Sequence, residues 1–169
     1  MNITFIFWAP LAAATLHIFE EFVFPGGFMK WYSAYKPDIK KSISKRFLFF
    51  INLGLLILCY DIGAIRESTI SNSISVILWL GVMALFAANG VWHIKAVWKT
   101  KTYSPGVVTG TVIYIPLAVY GYIYFLQTGQ VSIWIAIAAF IVGASYQLWS
   151  NFLHLSRAKP TKDNEKSEV

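Results

Sequence analysis

Residues 3–24 read ITFIFWAPLAAATLHIFEEFVF, an apolar run long enough to cross a bilayer as one helix. His17, Glu20 and Glu21 interrupt this run. An ionisable side chain at the centre of a membrane helix costs roughly 2.5–3.5 kcal/mol, and a simple anchor needs none. The stretch therefore predicts a transmembrane helix that carries a functional site, with these three side chains facing other helices rather than lipid.

The composition of the whole chain also predicts a membrane protein. Of 169 residues, 57% are hydrophobic and only 13% are charged, whereas soluble domains average roughly 25% charged residues. Apolar runs predict five spans, at residues 3–24, 47–65, 74–97, 107–126 and 131–155. We expect an all-α, polytopic transmembrane helical bundle, a single domain over residues 1–157, with a disordered cytoplasmic tail at 158–169. Four spans, with the first segment lying flat or the last one merged, is the alternative.

Lys and Arg residues are distributed unevenly between the two ends of the predicted spans. Of the 14, all but Arg66 fall on one side, in strict alternation from loop to loop. Cytoplasmic loops carry the excess of Lys and Arg in membrane proteins. We therefore expect a protein of the cell (inner) membrane, with its N-terminus on the outer side and its C-terminus in the cytoplasm. This topology accounts for the net charge of +6. We therefore expect the lipid bilayer, and not nucleic acid, as the partner.

The segment 28–46, between the first two predicted spans, mixes aromatic residues with lysines. Such a composition is typical of a short amphipathic helix that lies on the membrane surface. Pro37 interrupts the segment, and a plain basic loop is an equally good interpretation, so both stay open.

Polar side chains from several predicted spans fall at one depth. At about 1.5 Å per helical residue, Glu20 and His93 both lie about 10 Å from the midplane, in the cytoplasmic half. Asn89 is one turn from His93 in the third span. Asn52 lies early in the second span, which is also in the cytoplasmic half of the membrane. Further polar residues are expected at this end of the bundle: Tyr103, Ser104, Thr109 and, with its role left open, His154.

The spacing within the first span predicts a metal site. Glu20 and Glu21 follow His17 by three and four residues, so one helix face offers one nitrogen and two oxygens. His93 can add a second nitrogen. Two imidazoles with one or two carboxylates suit Zn²⁺, Fe²⁺ or Mn²⁺. We therefore expect a divalent metal as cofactor, with four ligands: His17, Glu20, Glu21 and His93.

The same cluster predicts an intramembrane enzyme whose apolar or lipid-like substrate arrives at the cytoplasmic leaflet. Three polar residues are expected to orient the ligands: Asn52, Asn89 and Thr109. Four residues that can exchange protons are the candidate catalytic groups: His17, Glu20, Glu21 and Tyr103.

Other functions remain open at this point. A metal-free, isomerase-like enzyme could use the two adjacent carboxyls as an acid and a base. A proton or small-cation carrier would need a polar path to both membrane faces. In a structural or assembly protein, the same groups would only clasp helices together.

Several motifs in the chain, in order, resemble the bacterial HXXEE-domain membrane proteins, a family of uncharacterised activity. The first is the motif His17-x-x-Glu20-Glu21 that gives the family its name. The remaining matches run from the end of the first span into the fourth: Phe24-Pro25-Gly26-Gly27-Phe28, Trp31-Tyr32, Asn89 to His93, Tyr103-Ser104-Pro105-Gly106, Thr109-Gly110 and Tyr114-x-Pro116-Leu117. The resemblance covers roughly residues 5–120 and implies a multi-pass membrane protein, without supplying an activity.

Overall fold

The computed structural model describes residues 3–42, 44–68 and 72–158, and the regular structure in these ranges is helical. Five helices are long and apolar enough to cross a membrane and are called spans one to five: Phe5–Phe22, Lys45–Glu67, Ser73–Thr100, Val107–Gln127 and Ile133–Leu153. The prediction of an all-α bundle with five spans is thereby confirmed. Apart from Ala158, the expected tail lies outside the described residues.

The helices in chain order are α1 (Ala9–Phe22), α2 (Phe28–Tyr35), α3 (Lys45–Glu67), α4 (Asn72–Thr100), α5 (Val107–Thr109), α6 (Ile115–Gln127), α7 (Ile133–Ala144) and α8 (Tyr146–Ala158). Short 3₁₀ helices at Ile3–Trp8 and Pro37–Ser42 precede α1 and follow α2, and a π-helical turn at Gly110–Tyr114 joins α5 to α6. Pro116 follows this turn and has no amide proton to donate to the preceding turn.

Span five differs from the predicted continuous helix, because it is interrupted between α7 and α8. The Ser145 hydroxyl donates to the Val142 carbonyl at 2.7 Å, in the last turn of α7. Such bonds from serine to its own helix compete with the regular pattern and favour a bend.

Helix α4 is the centre of the bundle and packs against α1, α3, α6 and α7. Glycines permit the close crossings. A Cβ on Gly143 of α7 would collide with the Gly81 carbonyl of α4, and one on Gly90 would lie 2.6 Å from the Gly110 carbonyl oxygen. Small residues let membrane helices approach in this way. The core around α4 contains large, fully buried side chains: Phe7, Trp79, Leu80, Phe86 and Phe125.

Much of the outer surface of the spans is apolar. Phe49 is 62% exposed, Trp134 is 78% exposed and Val142 is 71% exposed. Contiguous apolar surface is unusual on a soluble monomer, so this pattern agrees with helices that face lipid.

The segment after span one is helical rather than a plain loop. Phe28 and Tyr32 of α2 are buried against the bundle. The helix ends before Pro37, as expected because proline disfavours helical geometry in the residue that precedes it. Lys36 Nζ donates to Asn151 Oδ1 at 2.5 Å. The segment is thus attached to α8 at the end of the chain that the structure describes.

Candidate functional site

Three ionisable side chains from spans one and three meet inside the bundle. His17 Nε2 lies 3.5 Å from Glu21 Oε1, and His93 Nε2 lies 3.4 Å from the same oxygen. One ligand atom from each residue lies within 4.8 Å of the other two. All three side chains are buried. Two imidazoles and one carboxylate therefore face a common point, and we call them the His–Glu–His group.

The two imidazole nitrogens that face the Glu21 carboxylate lie at ion-pair distance from it but make no hydrogen bond within the described part of the chain. Neither His17 Nε2 nor His93 Nε2 has a hydrogen-bond partner among the described residues. Their distances to Glu21 exceed the usual range of an N–H···O hydrogen bond. Buried polar atoms seldom lack partners, so this donor set fits a cation held between the three atoms.

Thr109, at the start of span four, orients the His17 ring. Its hydroxyl donates to Glu20 Oε2 at 2.5 Å and lies 2.8 Å from His17 Nδ1. Because the hydroxyl proton goes to Glu20, the Thr109 oxygen is left to accept the Nδ1 proton of His17. In the neutral ring this arrangement leaves the lone pair on Nε2, the atom that faces Glu21.

The His93 ring is held in a similar way by the loop between spans three and four. His93 Nδ1 lies 2.8 Å from the buried Ser104 hydroxyl. Gly106 of the same loop has φ +99°, and a Cβ there would lie 2.8 Å from Cε1 of both His17 and His93. A glycine is required on both counts, by its backbone angle and by the two rings.

Glu20 has an environment different from that of Glu21, the next residue. Its carboxylate accepts hydrogen bonds from the Tyr103 hydroxyl at 2.5 Å and the Val108 amide at 3.0 Å. It also accepts the Thr109 amide at 2.7 Å. These amides belong to the first turn of span four, where unpaired N–H groups and the helix dipole favour an anion.

The structure places Glu20 outside the cluster of candidate ligand atoms, and its expected role as a fourth metal ligand stays a prediction. Donors from span four and from the preceding loop already occupy both carboxylate oxygens, and Glu20 is not a member of the His–Glu–His group. Its carboxylate instead ties span one to span four and acts on His17 through Thr109.

Tyr103, expected as a catalytic group, is also engaged with Glu20. It lies in the loop between spans three and four, and its side chain is partly exposed. Partial burial, together with donation to Glu20 and the negative charge there, raises the pKa of the Tyr103 phenol. The hydroxyl therefore stays protonated and serves as a donor to Glu20.

Asn52 and Asn89, which are expected to orient the ligands, line the cavities that reach the ligands. A cavity of about 380 Å³ borders His17 and Glu21, and one of about 90 Å³ borders Glu21 and His93. Both asparagines line both cavities. The buried Asn89 Oδ1 has no hydrogen-bond partner among the described residues, so it is available to a molecule in these spaces.

Tyr114 is a site residue that residue-by-residue reasoning missed. Its ring stacks on His17 with centroids 4.5 Å apart and on Phe86 with centroids 4.0 Å apart. It stands at the end of the π-helical turn, a feature that often marks functional sites. Its buried hydroxyl has no hydrogen-bond partner in the part of the chain described.

Ser104 and Gly106 are two further residues of the site for which the sequence predicted no specific contact, although both belong to the motif at residues 103–106. The signal that could have found them is their position, one short loop after His93 on the polar side of the predicted bundle. For His154 the structure gives the backbone, in α8, and its side chain lies outside the described part.

Aromatic residues of α2 cover the group from the end of the bundle. The Trp31 ring stacks on the His93 ring with centroids 6.1 Å apart. Trp92 of α4 contacts Trp31 edge-on, with ring centroids 5.6 Å apart. Burial, and then the neighbouring phenols and Glu21, raise the pKa of Tyr32 to about 12. This cover contributes to the complete burial of the His93 side chain.

The fold and the site together define a class: a five-span helical bundle with a buried His–Glu–His group whose imidazoles are oriented by hydroxyl groups. The family model described as "protein of unknown function with HXXEE motif" matches residues 8–121. The chain belongs to this family, and His17, Glu20 and Glu21 are its motif. No curated protein and no solved structure matches the chain.

Proposed function

We propose that this protein is an intramembrane, metal-dependent enzyme that acts on an apolar or lipid-like substrate. The observation that carries the proposal is the convergence of His17 Nε2, His93 Nε2 and Glu21 Oε1 within 4.8 Å of one another. Two imidazoles and one carboxylate are a donor set for zinc, iron or manganese. Three protein ligands also leave room for a substrate at the metal, as in catalytic rather than structural sites.

The residues around the ligands match what such a site needs. Ligating histidines normally bond their second ring nitrogen to an outer partner that fixes the ring. Thr109 and Ser104 do this for His17 and His93. A divalent ion bound here would supply Lewis acidity at a buried site. The protein holds the imidazoles in place, and the two cavities give a substrate access to Glu21.

The membrane and the orientation are part of the same proposal. The concentration of Lys and Arg at one end of the spans supports a cell-membrane protein with its C-terminus in the cytoplasm. The His–Glu–His group is then nearer the cytoplasmic leaflet. A reporter fused after residue 169 tests this: alkaline phosphatase should stay inactive there and green fluorescent protein should fluoresce, and the reverse would overturn it.

Two of the rival functions fit the site less well. A carrier needs a polar path to the other face, whereas the core beyond the site contains buried Trp79 and Phe125. A purely structural role accounts for Glu20, which clasps two spans. It does not account for the Nε2 atoms of His17 and His93, which have no hydrogen-bond partner among the described residues. The metal-free acid–base enzyme would use the same residues as the metal-dependent enzyme, and an experiment distinguishes the two.

Metal analysis of the detergent-purified chain tests the proposal. We expect about one zinc, iron or manganese ion per chain, and its loss in Glu21→Gln and in His93→Ala. Asp61→Asn is the matched control, because this carboxylate is exposed on span two. Each variant is first checked by its thermal unfolding, so that loss of metal is separated from loss of fold.

Two outcomes would overturn the metal site. One is a wild-type protein that stays substoichiometric after incubation with each of the three metals. The other is an equal metal content in Glu21→Gln and Asp61→Asn. An activity that a chelator leaves unchanged would assign the same residues to metal-free acid–base chemistry.

A further inference from the structure

An apolar groove runs along the outside of the bundle between spans one and two. Its cavity has a volume of about 680 Å³, and its apolar lining residues include Ile18, Leu53 and Leu56. Leu53 is 39% exposed, so the groove opens toward the lipid side of the bundle. From Lys45 to Leu56 the wall formed by α3 extends over about 16 Å, a length that suits an extended acyl chain.

Two lysines stand at the other end of this groove. Lys30 of α2 and Lys45 at the start of α3 both line it and are both exposed. The described residues show no ion pair from either ammonium to a carboxylate. The groove thus joins a long apolar wall to two positive charges, the charge pattern that an anionic amphiphile complements.

The groove also adjoins the proposed metal site. Asn52 lines the groove and both cavities that border the His–Glu–His group. Phe22, Phe28 and Leu48 line the groove as well as the smaller cavity, which reaches Glu21 and His93. Asn52 lies about 10 Å from Lys45 along α3. This places an amide further along α3 than Lys45, in the wall of the groove and beside the smaller cavity.

We propose that this groove binds a phospholipid whose head group carries net negative charge, with the phosphate at Lys30 and Lys45 and one acyl chain along Leu53 and Leu56. The proposal rests on the proposed function and names its substrate class. Asn52 is then a positioning residue, which directs the polar linkage of the lipid toward the His–Glu–His group.

Photo-crosslinking of the full-length protein in detergent tests the groove without any turnover. The probes are phosphatidic acid with a diazirine in one acyl chain and phosphatidylcholine with identical chains. We expect phosphatidic acid to label peptides from residues 18–29 and 45–56 about tenfold more strongly. Labelling should persist in Glu21→Gln, which removes a proposed metal ligand. A failure of lipid binding in the groove can therefore be distinguished from a failure of metal binding.

Variants assign the label to the lysines and the apolar wall. The double variant Lys30→Gln/Lys45→Gln should lose the preference for phosphatidic acid. The control variant Lys40→Gln/Lys95→Gln removes the same charge from exposed positions outside the groove. This variant should keep the preference for phosphatidic acid. Leu53→Trp, which narrows the groove, should reduce labelling by both probes.

Several results would overturn the proposal. Equal labelling by the two phospholipids, or a preference that survives in Lys30→Gln/Lys45→Gln, would remove the role of the lysines. Stronger labelling by a diazirine fatty acid at equal concentration would assign the groove to a free acid. Protein–protein crosslinks from a photoreactive residue placed at Leu53 would assign it to a second copy of the chain.

Discussion

Glu20 Oε2 accepts both protons that Thr109 offers, from its hydroxyl at 2.5 Å and from its amide at 2.7 Å. The same hydroxyl oxygen lies 2.8 Å from His17 Nδ1. A carboxylate outside the His–Glu–His group thereby fixes the ring of a residue inside it. The two adjacent glutamates of the motif have separate tasks: Glu21 faces the imidazoles, and Glu20 positions one of them.

Replacing Thr109 tests this link. Thr109→Val keeps the shape of the side chain but removes the oxygen between Glu20 and His17. We expect the affinity for zinc to fall roughly 10–100-fold, the usual effect of losing the outer partner of a ligating histidine. Competition with a chromogenic chelator measures the affinity.

Thr109→Ser serves as the rescue variant, because it keeps the hydroxyl, and should bind zinc within a few-fold of wild type. Thr111→Val is the matched control at an exposed position two residues further on. Equal affinities for Thr109→Val and Thr111→Val would contradict the role assigned to Thr109.

Glu20→Gln should destabilise the fold. An NH₂ group would replace one of the two carboxylate oxygens, so either the Val108 amide or the Thr109 amide loses its acceptor, at a cost of roughly 1–3 kcal/mol. Thermal unfolding in detergent measures the loss. Glu67→Gln is the comparison, since this exposed carboxylate accepts one bond from Trp8 at 2.9 Å. A Glu20→Gln protein as stable as Glu67→Gln would refute the clasp.

Gly106→Ala should disrupt the site through contact with both imidazoles. The control is Gly129→Ala, which also has positive φ, at +66°, but no atom within 4 Å of the added Cβ. We expect Gly129→Ala to cost about 1 kcal/mol of stability through backbone strain and to keep its metal. Gly106→Ala should lose more stability and its metal as well. Equal metal content in the two variants would show that the rings tolerate a side chain.

Tyr103 predicts a stability change at alkaline pH. Its raised pKa means that the folded phenol keeps its proton at a pH where the unfolded phenol, with a pKa near 10, loses it. This contribution to stability is complete below about pH 10 and falls as the pH rises further. The stability advantage of wild type over Tyr103→Phe should therefore shrink between pH 9 and pH 11 in thermal unfolding. Curves that stay parallel over this range would contradict the hydrogen bond to Glu20.

Much of the bundle and half of the site could be predicted locally. Spans two and three carry their own signal, because each is a continuous apolar run of sufficient length. The pairing of His17 with Glu21 follows from their spacing of four residues on a helix. Span five was predicted as one helix, and its interruption at Ser145 was missed, since a single serine bond to Val142 carries little sequence signal.

By itself, the sequence determined that ionisable groups of spans one and three share a depth, because hydrophobic length and helical rise are properties of each segment alone. Only the tertiary structure decided that Glu21, and not Glu20, joins His17 and His93. That choice depends on how each helix is rotated against its neighbours. The close contact between Gly90 and Gly110 fixes this rotation, together with the amides of span four that donate to Glu20. These contacts are non-local, and so the partners Thr109 and Ser104 become visible only once the helices are packed.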